Sequence, residues 1–64
     1  MTIERVLAAI NKAYQDRFMF TFLEIARDES WSITNGISST DKTYLARGHN
    51  LSDLEAWVKQ VEAE

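Results

Sequence analysis

The sequence predicts a small α+β domain of two layers in the order α-β-β-β-α, a small antiparallel three-stranded sheet with two helices on one face. Three observations lead there. Apolar residues recur at three- and four-residue spacing near both ends of the chain. The middle is dense in aromatic and branched side chains. Turn signals divide that middle into three short runs. Residues 1–64 read as a single compact domain, with no internal repeat, no linker composition and no proline.

Residues 3–16 carry the first helical pattern: Ile3, Val6, Leu7, Ile10 and Tyr14 form one stripe, with Ala13 beside them. Thr2 is the expected N-cap, and Glu4 in the first turn suits the helix dipole. Arg5, Ala8, Ala9, Lys12 and Asp16 fall on the outer face, where the two alanines serve as strong helix formers. In the next run, "RFMFTFLEIAR", Phe18, Phe20 and Phe22 alternate with Met19, Thr21 and Leu23, which reads as a strand. A continuation of the helix through Phe18, Phe22 and Ile25 is the competing reading of residues 18–25.

"RDES" is the expected hairpin turn, and "WSIT" a short strand with Trp31 and Ile33 on one face. Asn35-Gly36 is the strongest turn signal, because both residues tolerate positive φ. "ISSTDK" reads as loop and "TYLAR" as the third strand. The last helix is marked by Ser52-Asp53-Leu54-Glu55, a capping-box pattern, with Leu51 and Ala56 placed as a weak hydrophobic staple. Leu54, Trp57, Val58 and Val61 form its buried stripe. The first strand is apolar on both faces, so the sheet face away from the helices is expected to expose a partly apolar surface, a site for a partner or for a homodimer.

Composition narrows the function. With no cysteine there is neither a disulfide nor a thiolate site, and one histidine is too few for a His-based metal centre; carboxylates alone could hold calcium or magnesium weakly. No metal and no other cofactor is therefore expected. A core in so short a chain supplies only ~3–5 kcal/mol, so packing, with an oligomeric contact as the available supplement, is expected to carry its stability. The longest apolar run, "FMFTFLEIA", is interrupted by Thr21 and Glu24 and is too short for a membrane span, and no secretory signal pattern opens the chain. A complete, cytoplasmic product without membrane contact is the expectation.

Catalysis finds little support. His49, Ser52 and Asp53 hold the residue types of a nucleophile, base and orienter. Ser52 is nevertheless assigned to the helix cap, and no oxyanion loop or nucleophile elbow accompanies the three. His49 reads as a loop residue, and the chain as not an enzyme. The element order coincides with that of double-stranded-RNA-binding domains, without a motif match. Where such a domain needs lysines at the start of its second helix, this chain places Asp53 and Glu55. Phe20, Trp31 and Tyr44 could stack on bases, but a small core has first claim on its aromatics. Only Arg27, Lys42 and Arg47 could form a basic edge, so nucleic-acid binding ranks second.

The net charge of −3 sits in the last segment: residues 50–64 carry Asp53, Glu55, Glu62 and Glu64 against Lys59, whereas residues 1–49 are balanced. The leading expectation is a non-enzymatic inhibitor or regulator of a host protein with a basic surface, in a nucleic-acid-handling or defence complex. An inhibitor of phage or mobile-element origin, of anti-CRISPR or anti-restriction type, is the class expected for such a small acidic domain. Its candidate contact residues are Asp53, Glu55 and Glu62 on the last helix, with Asp28, Glu29 and Asp41 from the loops. A homo-oligomeric structural module joined through the second sheet face is the third expectation.

Overall fold

The computed structural model describes residues 2–17, 20–37 and 41–64, Arg17 by its backbone alone. Helix α1 (Ile3–Ala13) is followed by a 3-10 turn over Gln15–Arg17. Strands β1 (Thr21–Ile25), β2 (Trp31–Asn35) and β3 (Thr43–Gly48) come next, and helix α2 (Leu51–Ala63) closes the chain. The strands form one antiparallel meander, β1-β2-β3. Residues 21–25 are strand, which settles that part of the helix-or-strand alternative; Phe18 and Met19 lie outside the described residues.

The core lies between the helices and one sheet face. Val6, Ala9 and Ile10 from α1 meet Leu54, Val58 and Val61 from α2 above Trp31 and Ile33 of β2, with Tyr14, Leu23, Leu45, Ala46 and Trp57 packed around them. Register explains the alternation: Leu23, Ile33 and Ala46 stand in one row on the helix side, and Phe22, Thr34 and Tyr44 in a row on the open side. The ladder slips between Ile33 and Thr34, where Leu45 is the extra residue of a bulge in β3.

Helix α1 is shorter than its pattern because Tyr14 leaves helical geometry (φ −129, ψ 50). That swing stacks its ring on Trp57 and lets its hydroxyl donate to the Leu45 carbonyl. The buried arc is also rotated from the expected stripe. Ala9, expected outside, is 2% exposed, whereas Ile3 and Leu7, expected inside, are 55% and 44% exposed. The reason is α2. Arg5 and Lys12 flank Ala9 and reach across to α2, so the small side chain of Ala9 lies where the two helices approach.

The loops follow local chemistry. Arg27, Asp28 and Glu29 form a three-residue hairpin loop. The Glu29 amide donates to the Ala26 carbonyl, and the Asp28 carboxylate accepts from both the amide and the hydroxyl of Ser30. Glu29 takes the left-handed position (φ 71) that glycine usually fills there. Asn35, expected in a turn, is the last residue of β2 and pairs with Thr21 and Thr43. Of the Asn35-Gly36 pair Gly36 has the positive φ (137), and a Cβ there would meet the Asp41 carbonyl oxygen at 2.6 Å. The turn therefore opens into a longer loop, whose residues 38–40 lie outside the described residues.

The start of α2 departs from the capping-box expectation. The N-cap is Asn50, two residues earlier than Ser52, and its side chain accepts from the Asp53 amide at 2.9 Å. The Asp53 carboxylate in turn accepts from the His49 amide at 3.2 Å. Trp31 decides the frame, because its indole N–H donates to the Asn50 carbonyl at 2.8 Å and holds that residue at the helix mouth. Ser52 and Leu51 are then ordinary first-turn residues, and the staple is not needed.

Asn50→Ala is expected to lower stability by about 1 kcal/mol and Ser52→Ala by much less, a contrast that denaturant melts of both variants measure directly. Gly48 has no room for a side chain, since a Cβ would lie 2.6 Å from the Trp31 indole nitrogen. Gly48→Ala is expected to cost about 2 kcal/mol, because the displaced ring is in the core and holds the helix mouth; thermal unfolding checks it.

Candidate interaction surface

The acidic residues singled out by sequence are not brought together, and several are occupied within the chain. Glu62 receives two hydrogen bonds from the Arg5 guanidinium, both 2.8 Å, a bidentate pair that ties α2 to α1. Glu55 lies 3.6 Å from Lys59 one turn on. Asp53 fastens the helix start, Asp28 fastens the hairpin loop, Glu29 stands exposed beside it, and Asp41 lies against Gly36 in the loop before β3. Glu55 and Glu62 point toward α1, while Asp53 lies on the opposite flank of α2.

That opposite flank borders a cleft of about 760 Å³ between α2 and β3. Trp31, Ala46 and Trp57 supply apolar wall, Ala56 and Gln60 the helix side, and Arg47, His49 and Asp53 the polar rim. β3 ends at Gly48 and α2 begins at Leu51, and the cleft lies between these two elements with Gly48 and His49 in its lining. Trp57 is only partly covered, leaning on Trp31 with ring centroids 6.4 Å apart. His49, read from sequence as a bystander, is thus on the cleft rim. What brings it there is the Trp31–Asn50 contact, for which the sequence carries no local signal.

The open sheet face is the second surface. Phe22 and Tyr44 are 51% and 55% exposed, and Phe20 is 52% exposed, so Phe20 and Tyr44 do not serve the core as expected. Trp31 does, at 5%. Lys42 reaches from the foot of β3 to Glu24 on β1, at 3.0 Å, and thereby spans β2 across this face. Its ammonium also lies 5.9 Å from the Tyr44 ring, and the Arg47 guanidinium 5.4 Å. Thr34, in the middle of the row, is 1% exposed, and its hydroxyl has no hydrogen-bond partner. Of the basic edge foreseen from sequence, Lys42 is therefore neutralised by Glu24, while the Arg47 guanidinium lies over Tyr44 on this open face.

The electrostatics are those of local pairs. The side-chain hydrogen bond from Arg5 holds the Glu62 carboxyl below its ordinary value, and the same bond raises Arg5. The Ser30 hydroxyl, and then its amide, lower Asp28. Bonding to Glu24 raises Lys42. Among the described residues no group of three His, Cys, Asp or Glu side chains is placed to hold a metal ion, and no helix is long and apolar enough to cross a membrane.

No family model, no curated protein and no solved structure matches this chain.

The depressed carboxyls set the acid response. A group whose folded pKa lies below its unfolded value stabilises fully above the unfolded value and loses that contribution as pH falls through the folded one. For Glu62 the loss begins below 4.5 and for Asp28 below 3.8. Melting temperature is expected to fall on acidification through that window. Glu62→Gln should flatten the upper part of the fall, an effect read by comparing thermal melts of the two proteins from neutral pH downward.

Proposed function

We propose that this chain is a non-enzymatic binding domain that inhibits or regulates a host protein complex, of nucleic-acid-handling or defence type, by receiving an anchor side chain of its partner between β3 and α2. The observation that carries this reading is the cleft itself. A partly exposed tryptophan backed by a second one, inside a rim that offers Arg47, His49, Asp53 and Gln60, matches the anatomy of a protein-binding hot spot: an apolar centre enclosed by polar groups. Asp53 is the member of the acidic set that this rim includes, so it directs a basic group of the partner there. Glu55 and Glu62, held by Lys59 and Arg5, shape the α1 side instead.

A competing reading places single-stranded nucleic acid on the open sheet face, where Phe22 and Tyr44 stand half exposed and Arg47 overhangs Tyr44. It requires a salt-dependent shift of labelled DNA or RNA at micromolar protein, and no shift at low salt removes it.

Ala56 and Gln60 line the cleft from exposed positions, which permits a test that spares the core. Ala56→Arg fills the opening, and its melting temperature should stay within about 2 °C of the parent, as for most surface substitutions. Capture from cells of origin with parent and variant side by side should retain a specific protein on the parent and lose it on the variant. Equal retention on both excludes the cleft as the contact.

A further inference from the structure

The geometry points to β1 as a self-pairing edge: two copies of this chain join β1 to β1, antiparallel about Leu23, into one continuous six-stranded sheet with the two α1 helices side by side above it. This does not depend on the cleft reading, because the cleft lies along β3 at the far side of each sheet.

The two edges of the sheet are unlike. The β3 edge is interrupted by the bulge at Leu45, whose carbonyl already accepts from the Tyr14 hydroxyl, and α2 stands beside it across the cleft. Bulges of this kind blunt an edge against pairing. β1 has five residues in unbroken register with β2, without lysine, proline or a bulge. Its hydrogen-bonding direction follows from its ends. The Phe20 carbonyl accepts from the Gly36 amide and the Ala26 amide donates to the Ser30 carbonyl. In an antiparallel ladder this alternation turns the backbone of Phe22 and Glu24 toward β2 and that of Leu23 and Ile25 outward.

A register centred on Leu23 sets Leu23 against its own copy, Ile25 against Thr21, and Glu24 against Phe22. Sliding the copies so that Glu24 meets Glu24 would place like charges directly opposite, which is unfavourable, so charge selects the first register. The helix layer supplies the rest of the contact. Arg5 and Lys12 face α2, and helical geometry then puts Leu7 on the flank turned away from α2, while Ile3 shares a cleft with Ile25 of β1 and with Leu51 and Leu54 at the start of α2. Ile3 and Leu7 were expected in the core and both are exposed, as are Ile25 at 48% and Phe22 at 51%. Exposed area of on the order of 100 Å² for each of these four side chains gives roughly 400 Å² per copy before the edge backbone is counted, close to the ~500 Å² per partner of the smallest specific interfaces.

Sedimentation of the full chain from micromolar to about 0.5 mM tests this, with amide exchange as a second readout. The expected result is a mass of twice 7.4 kDa at the upper end, with Leu23 and Ile25 amides slowing as concentration rises. Ile25→Lys, on the edge, and Leu7→Glu, on the helix flank, should each weaken association by about 100-fold or more, with circular dichroism unchanged, as an introduced edge charge does in natural sheets. Tyr44→Glu, on the open sheet face, should leave it intact. A monomer at 0.5 mM, a dimer indifferent to Ile25→Lys, or a dimer broken only by Tyr44→Glu overturns the proposal.

Discussion

Trp31 is the residue on which the rest of this structure depends. It belongs to the central strand, its ring leaves no space for a Cβ on Gly48 of β3, and its N–H reaches the backbone carbonyl that opens α2. Trp57 of α2 leans on it, and Tyr14 at the end of α1 stacks on Trp57 in turn. One side chain thus connects the sheet to both helices, and the aromatic chain replaces the disulfide or metal that a domain of this size commonly uses. The hydrogen bond matters as much as the area. A buried indole N–H without an acceptor is costly, so satisfying it fixes the frame in which α2 begins.

That frame also explains the cleft. Gly48 lets β3 run close beneath the Trp31 ring, and the chain then turns at once into α2. The cleft lies between the two, with Arg47, His49 and Asp53 around its opening. Asp53 therefore has two tasks: its carboxylate holds the His49 amide, and it lines the rim. The acids farther along α2 are drawn the other way by Arg5 and Lys59. The negative charge of the last segment is spent largely on joining the helices and securing their ends, and it does not form a continuous acidic strip.

The two faces of β1 show a further economy of a short chain. A 64-residue protein has more apolar residues in α1 and β1 than one small core can cover, and Ile3, Leu7, Phe22 and Ile25 are left outside. Scattered exposed residues are ordinary, but these border one flat strand edge and the helix flank above it. The open sheet face is managed differently. Lys42 crosses it to Glu24, and Arg47 overlies Tyr44, so charge and aromatic surface are interleaved there.

Much of the fold was legible in the residues. The helical spacing at both ends, the alternation over residues 21–25 and 31–34, and the turn chemistry of Asp28 through Ser30 each reflect local backbone and side-chain preferences, and so did the Thr2 cap. What the sequence could not carry were choices made by distant partners. Asn50 rather than Ser52 caps α2 because Trp31, nineteen residues earlier, holds its carbonyl. Ala9 is buried and Leu7 is not because α2 lies on one flank of α1, which periodicity alone does not specify. Asn35 remains in a strand because it has neighbours on both sides, Thr21 and Thr43. The sequence by itself determined which segments are helix and strand and which carry the charge. The buried sides of β2 and α2 were also legible, but only the tertiary structure decided which flank of α1 faces a neighbour and where the cleft and the open edge lie, since those are settled by contacts between residues far apart in the chain.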